Sequence, residues 1–224
     1  MVCTVTTMPH GQDDGLRRVD HDGVLALVDA AERARVRRFV YVSYSGAIEE
    51  PSPLEKAKRA VERRLRQGKM DAVILRPSYF MEAWLGRNLD LEKNTFQVFG
   101  EGTAPVSFVS GADVAEIAVA VLGRPVEGQF HIEIGGPEPV APLEAVRRME
   151  AVLGRALRVN HVPMQALSAM QASDDPVQST FGALGMGCAK GNAIPNAVET
   201  AAKYGVRLRT IEDFMAALAA PKPA

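Results

Sequence analysis

Two rhythms of apolar and polar residues alternate along this chain. Short runs are apolar with hardly a polar break: "VCTVTT" (2–7), "RFVYVS" (38–43) and "DAVILRP" (71–77). They are rich in β-branched and aromatic residues, which predicts strands buried on both faces. Between them the period lengthens to that of a helix. "DGVLALVDAAERA" (22–34) places Val24, Leu27, Val28 and Ala31 on one side. "SPLEKAKRAVERRLRQG" (52–68) carries the stripe Leu54, Ala57, Val61 and Leu65. Ser52 is its expected cap, Pro53 its first helical residue, Glu55 the partner in a capping box, and Gly68 its end. Strand, helix, strand, helix, strand with short joints predicts an α/β fold: a partial, doubly wound parallel sheet with helices on both faces and right-handed crossovers.

Beyond Pro77 the pattern changes. Glycine and proline punctuate residues 86–105. "ADVAEIAVAVLG" (112–123) predicts a helix whose Asp113 and Glu116 have capping-box spacing. "GQFHIEIGG" (128–136) predicts a strand, "PLEAVRRMEAVLG" (142–154) a helix and "RVNHVP" a short strand. Residues 173–195 are rich in Gly, Ser and Asn and are expected to be irregular. "TIEDFMAALAA" (210–220) predicts a last helix capped by Thr210.

Composition narrows the function classes. The 224 residues carry a net charge of −1, which gives no electrostatic case for nucleic acid or an anionic membrane. No apolar run approaches the length of a membrane span, and the first residues lack the basic and apolar segments of a secretory signal. Cys3 and Cys188 are too few and too far apart for a disulfide framework. A cytoplasmic protein is the expectation.

Several chemistries find no support. His10, His21, His131 and His161 are scattered without metal-ligand spacing. No GxSxG elbow is present. Gly185, Gly187 and Gly191 form a glycine cluster, but "DDPVQST" before them is no strand, so a flexible loop is expected and not a dinucleotide loop. The basic runs at 33–38 and 58–66 read as solvated helix ends and faces, with Glu62 pairing at the surface with Lys58 and Arg66. What remains is the carboxyl end of three strands: Thr6, Thr7 and Met8; Ser43, Tyr44 and Ser45; Pro77, Ser78, Tyr79 and Phe80. Ligands of open parallel sheets bind there. The same residues also read as ordinary turn chemistry.

Six segments, in order, resemble the NmrA-like atypical short-chain dehydrogenases/reductases: "VDHDGVLALVDAAERARVRRFVYVSYSGA", "KAKRAVERRL", "AVILRPSYFMEAWL", "FVSGADVAEIAVAVL", "GGPEPVAPLEAVRRMEAVLGR" and "YGVRLRTIEDF". The resemblance implies a Rossmann-type domain that binds NAD or NADP and a small C-terminal α/β substrate domain. It divides the chain into residues 1–80, with 106–136 adding a helix and strand, and a substrate part at 81–105 and 137–224. It places Thr6, Thr7 and Met8 on the ribose side of the cofactor, Ser43, Tyr44 and Ser45 beside the nicotinamide, Lys58 at a ribose hydroxyl, and Pro77, Ser78, Tyr79 and Phe80 over the ring. Tyr79, Phe80 and Trp84 stand either against a flat acceptor or as core aromatics.

Two departures from the family pattern matter. The chain starts near the family's fourth strand, so the first three strands and the GxxGxxG loop are expected upstream of Met1; otherwise the edge at residues 2–7 is expected to pair with a second copy. Weak binding of NADP or NAD follows. In addition, the tyrosine that many relatives carry four residues before the helix lysine is Leu54 here. No residue is therefore assigned a catalytic role. The implied function is hydride transfer to a quinone-like or unsaturated small molecule, or a non-catalytic NAD(P)-sensing or interaction protein.

Overall fold

The computed structural model describes residues 1–8, 14–124 and 129–219. Its first sheet joins β1 (Val2–Cys3), β2 (Arg38–Val42), β3 (Asp71–Pro77) and β6 (Gln129–Ile134) in that order, all parallel. Val2 lies opposite Val40, Val40 opposite Val73 and Val73 opposite Phe130. This is the parallel α/β arrangement that the strand and helix rhythm predicted, and it has the Rossmann-type form that the resemblance implied.

One face is covered by α1 (Val24–Arg33) and α2 (Pro53–Gln67). There Val28, Val61 and Leu65 pack against Phe39, Tyr41 and Ile74. The other face is covered by α3 (Gly111–Leu122) and α7 (Ala197–Ala202), which set Ile117, Val121 and Ala201 against Val40, Val73 and Leu75. Alternate strand residues thus feed two separate cores, as a sheet buried on both sides requires.

A second sheet contains β4 (Leu89–Asp90), β5 (Thr95–Phe99) and β7 (Arg158–Val162); β4 runs antiparallel to β5, and β7 parallel to it. Around it stand α4 (Pro142–Leu153), α5 (Met164–Gln171), α6 (Pro176–Lys190) and α8 (Ile211–Ala219). An apolar cluster that includes Tyr44, Tyr79, Phe96, Phe108, Met149 and Met215 links the two sheets.

Several expectations are corrected. The strand expected over 2–7 is regular only at Val2–Cys3. The helix expected over 22–34 begins earlier, as a π-helical segment Leu16–Gly23 that runs on into α1. A second π-helical segment, Glu82–Gly86, follows β3. Residues 173–195 are largely helical: α6 opens on Asp175, whose carboxylate accepts from the backbone N–H groups of Val177 and Gln178, with Pro176 at its first position.

Of the glycines expected in a loop, Gly185 and Gly187 are therefore helical, whereas Gly191 ends α6 with φ +96°; packing explains the glycines inside the helix. A Cβ at Gly182 would stand 2.3 Å from the Gln171 backbone nitrogen and 2.6 Å from the Leu167 carbonyl oxygen, so only glycine lets α5 and α6 meet backbone to backbone. The cap of α3 is Ser110, which accepts from the Ala112 N–H; Asp113 is buried and bonds Arg209 instead. Thr210 accepts from Asp213 N, and Asp213 accepts from Thr210 N, a reciprocal box at the start of α8. Gly128 and Ala220, the expected outer ends of a strand and a helix, and His10 lie outside the described residues. Among the described residues no helix is long and apolar enough to cross a membrane.

Candidate functional site

Parallel bonding continues past the formal strand ends. The backbone N–H of Ser43 donates to Leu75 O, that of Ser45 to Pro77 O and that of Ser78 to Ile134 O, each at 2.8 Å. This brings Ser45 level with Ser78, with Tyr79 and Phe80 just beyond. Thr6, Thr7 and Met8 follow β1 at the same end. A pocket of about 440 Å³ lies at the opposite end of these strands, lined by Met1, Arg37, Arg38 and Arg124 among others. None of the candidate site residues at the strand ends lines it.

Lys58 is buried. Its ammonium donates to Val5 O at 3.2 Å and Val42 O at 3.3 Å, and lies 3.9 Å from Asp20 Oδ1. It also sits 5.2 Å from the centre of the Tyr41 ring. Asp20 comes from the first π-helical segment and is fully buried. Its Oδ2 accepts from Thr7 N at 2.9 Å and Thr7 Oγ1 at 2.7 Å. Burial lowers the Lys58 pKa, and the Asp20 charge opposes that shift. Tyr41 Oη and Asp20 Oδ1 have no hydrogen-bond partner among the described residues.

Glu62 corrects the expectation of surface pairs. It is 1% exposed and accepts from four side chains: Ser43 Oγ at 2.7 Å, Arg59 Nη1 at 2.6 Å, Arg76 Nη2 at 2.5 Å and Arg66 Nη2 at 3.3 Å. Burial pushes its pKa up, but the bonds from Arg76 and Ser43 and the charge of Arg59 outweigh that and bring it to about 2. Arg59 also donates to Tyr44 O at 3.1 Å and Ser45 O at 3.0 Å, with its guanidinium 4.9 Å from the Tyr44 ring. Arg76 reaches Glu133, whose carboxylate accepts from Gly46 N. One buried charge network thus fixes the backbone at the end of β2. The sequence signal was present in the alternation of basic residues with Glu62, but it was indistinguishable from a solvated helix face.

The other expected site residues are also held by the protein. Ser78 Oγ donates to Asn192 Oδ1 at 2.5 Å. Tyr79 is buried, donates to Leu184 O at 3.0 Å and meets the Trp84 ring edge-on at 4.8 Å. Trp84 meets Phe99 in turn at 5.3 Å, so Tyr79 and Trp84 form part of an aromatic core. Phe80 is half-buried against the opposite cluster, on the side of α3 and α7. Burial raises the Tyr44 phenol pKa, and its Oη has no hydrogen-bond partner among the described residues. Leu54 belongs to the same apolar cluster as Tyr44 and Ile48. Thr6, Gly46 and Ala47 are exposed, and Thr7 and Met8 are half-buried.

The family described as NAD(P)H-binding matches residues 2–125, more than half of the chain. The chain belongs to this NAD(P)H-binding family. Among curated relatives it is 29% identical over 171 residues to a photosystem II assembly factor, Ycf39, of Synechocystis, covering 75% of this chain and 52% of that protein. It is 32% identical over 158 residues to a (4-alkanoyl-5-oxo-2,5-dihydrofuran-3-yl)methyl phosphate reductase of Streptomyces griseus, covering 68% of this chain and 55% of the relative. It therefore spans about half the length of the curated relatives it matches. Its fold is similar to that of an NADPH-dependent quinone oxidoreductase of Escherichia coli solved with NADPH: TM-score 0.70 at 17% identity, covering 95% of this chain and 74% of the other.

NAD(P)H is the group this family implies, and the residues present suit one end of it. At the strand ends the Thr6 hydroxyl is exposed, Met8 offers an apolar surface and Gly46 has no side chain. A hydroxyl donor and an apolar wall match the chemistry of a nicotinamide and its ribose. The cations near these ends, Lys58, Arg59 and Arg76, are all bonded within the protein. No described residue there is placed to neutralise a pyrophosphate.

Proposed function

We propose that this NAD(P)H-binding chain is an NmrA-like oxidoreductase that transfers hydride, without an acid from the protein, to a quinone-like or otherwise unsaturated small molecule. Residues 1–80 and 106–136 form its nucleotide side, and 81–105 and 137–224 its substrate side. Leu54 carries this reading. It is packed into the apolar cluster with Tyr44 where a proton-donating phenol would otherwise stand, and an alkyl chain relays no proton. An alcohol product would need such a relay; a quinone-like acceptor takes its proton from water.

When bound, the reduced nicotinamide supplies the hydride. The chain's own residues position it. The Thr6 hydroxyl donates to a ribose or carboxamide oxygen, Met8 shields the ring from water, and the Glu62 network keeps the turn at Ser43–Gly46 in place. NADP and NAD are both candidates, and these 224 residues bind either one weakly, with a dissociation constant above about 1 μM.

The test is NADPH and NADH oxidation by the 224-residue chain across a panel of quinones and enones. Turnover with quinones and none with secondary alcohols is expected. Steady alcohol oxidation would overturn the proposal. Nucleotide binding without turnover on any acceptor favours a second reading, a regulator or interaction protein. The internal bonding of Lys58, Ser43 and Ser78 supports that reading, as does the likeness to a relative named as an assembly factor.

A further inference from the structure

We propose that Asp20 and Lys58 form a buried latch that takes over from the β-ladder beyond Cys3 and fixes residues 4–8, so that Lys58 serves the nicotinamide end by holding backbone and not by touching the ribose. The inference deepens the reductase reading above and rests on it for the cofactor.

The β1–β2 ladder stops at the pair Cys3 and Tyr41. Two residues beyond Cys3 and one beyond Tyr41, the Lys58 ammonium bridges the carbonyl oxygens of Val5 and Val42. A side chain of α2 thus does what the next ladder bonds would have done. The two strand ends are joined through an ammonium, and this spacing gives Thr6 and Met8 their place outside the ladder. Two of its three protons are thus given to backbone carbonyls, and the ammonium lies 3.9 Å from Asp20 Oδ1, close enough for the carboxylate to balance its charge.

Asp20 completes the latch. Its other oxygen takes both the N–H and the hydroxyl of Thr7, the residue between Thr6 and Met8. Cys3 from β1, Tyr41 from β2 and Asp20 from the π-helical segment face Lys58, and Arg59 and Glu62 are its charged neighbours on α2. A lone buried charge of either sign is costly, so the pair stays together and the segment stays with it. Burial lowers the Lys58 pKa, and the Asp20 charge opposes that shift.

The test has two arms on the full 224-residue chain. The first measures amide hydrogen exchange without nucleotide. In the charge-neutral double variant Asp20→Ala/Lys58→Met, the Thr7 amide and its neighbours should exchange at least about tenfold faster, while Val40 and Val73 keep their rates. Unchanged exchange at Thr7, or equal acceleration across the whole sheet, overturns the latch. Should that variant fail to fold, Lys58→Arg keeps the charge without the compact ammonium and is held to the same local criterion. The second arm compares NADPH with an analogue lacking the 2′-hydroxyl of the nicotinamide ribose, in the wild type and in Lys58→Arg. The latch predicts that both proteins lose affinity for the analogue by the same factor, within about twofold, because side chain and hydroxyl do not interact. Discrimination by the wild type alone means direct ribose contact and overturns it. A wild type that binds neither nucleotide sinks the reductase reading, and the exchange arm then decides the latch by itself.

Discussion

Helices α2 and α6 make an instructive pair. Each has 15 residues, a proline at its start and a side-chain cap, Ser52 in one and Asp175 in the other. One is crowded with charge and the other with glycine. Both compositions suggest surface or loop, yet both helices are packed tightly. In α2 the charged groups Lys58 and Glu62 turn inward under the strand ends, where buried partners satisfy them. In α6 the glycines turn toward α5 and Tyr79: a Cβ at Gly187 would lie 2.6 Å from the Tyr79 oxygen. Charge is kept inside where a network absorbs it, and glycine is kept inside where two backbones or a phenol need the space.

The comparison breaks hardest at Glu62. Glu62→Ala leaves Arg59 and Arg76 facing each other without their carboxylate, and should cost about 4 kcal/mol in chemical denaturation. An unchanged midpoint would mean the network is ornamental. Acid probes the same group more gently. Its folded pKa of about 2 lies below the unassociated value of 4.5, so the stability it contributes is complete above about pH 4.5 and is lost as pH falls toward 2. About 3 kcal/mol should disappear over that window, and Glu62→Gln should flatten this part of the stability–pH curve.

On the α6 side, Gly182→Ala forces α5 away, because the obstructing atoms are backbone. About 2–3 kcal/mol should be lost, with the change in exchange rates concentrated in α5 and α6. The smallest effect belongs to what the helices share. Ser52→Ala and Asp175→Ala should each cost about 1 kcal/mol. Equal losses would show that capping is independent of what each helix buries; a loss confined to one would show that it is not.

These two helices also mark how far the fold could be read in advance. The bounds of α2 followed from Ser52, Pro53 and the stripe Leu54, Ala57, Val61 and Leu65, because local chemistry sets them. β3 was legible to the residue, since Asp71–Pro77 is apolar inside and stopped by proline. The start of α6 was equally visible in Asp175 and Pro176, but the glycines outweighed it. Their purpose lies in α5 and Tyr79, which no local window contains. Asp113 failed as a cap for the same reason: its partner Arg209 is 96 residues away. The strand ends were found as a group, while the bonds that occupy Lys58, Ser43 and Ser78 come from distant segments and had no local signature.

The π-helical winding of Leu16–Gly23 makes that stretch a counted length. Its bonds span five residues where an α-helix spans four, so it holds more residues per turn than its ends require. Deleting one residue there would let the segment close into ordinary α-helix with little strain and with α1 kept in place, while the side chains inside the segment change register. Asp20 would leave Thr7 and Lys58 although no contact residue had been substituted. In this protein, insertions and deletions within eight residues carry the consequence usually reserved for changes of side chain.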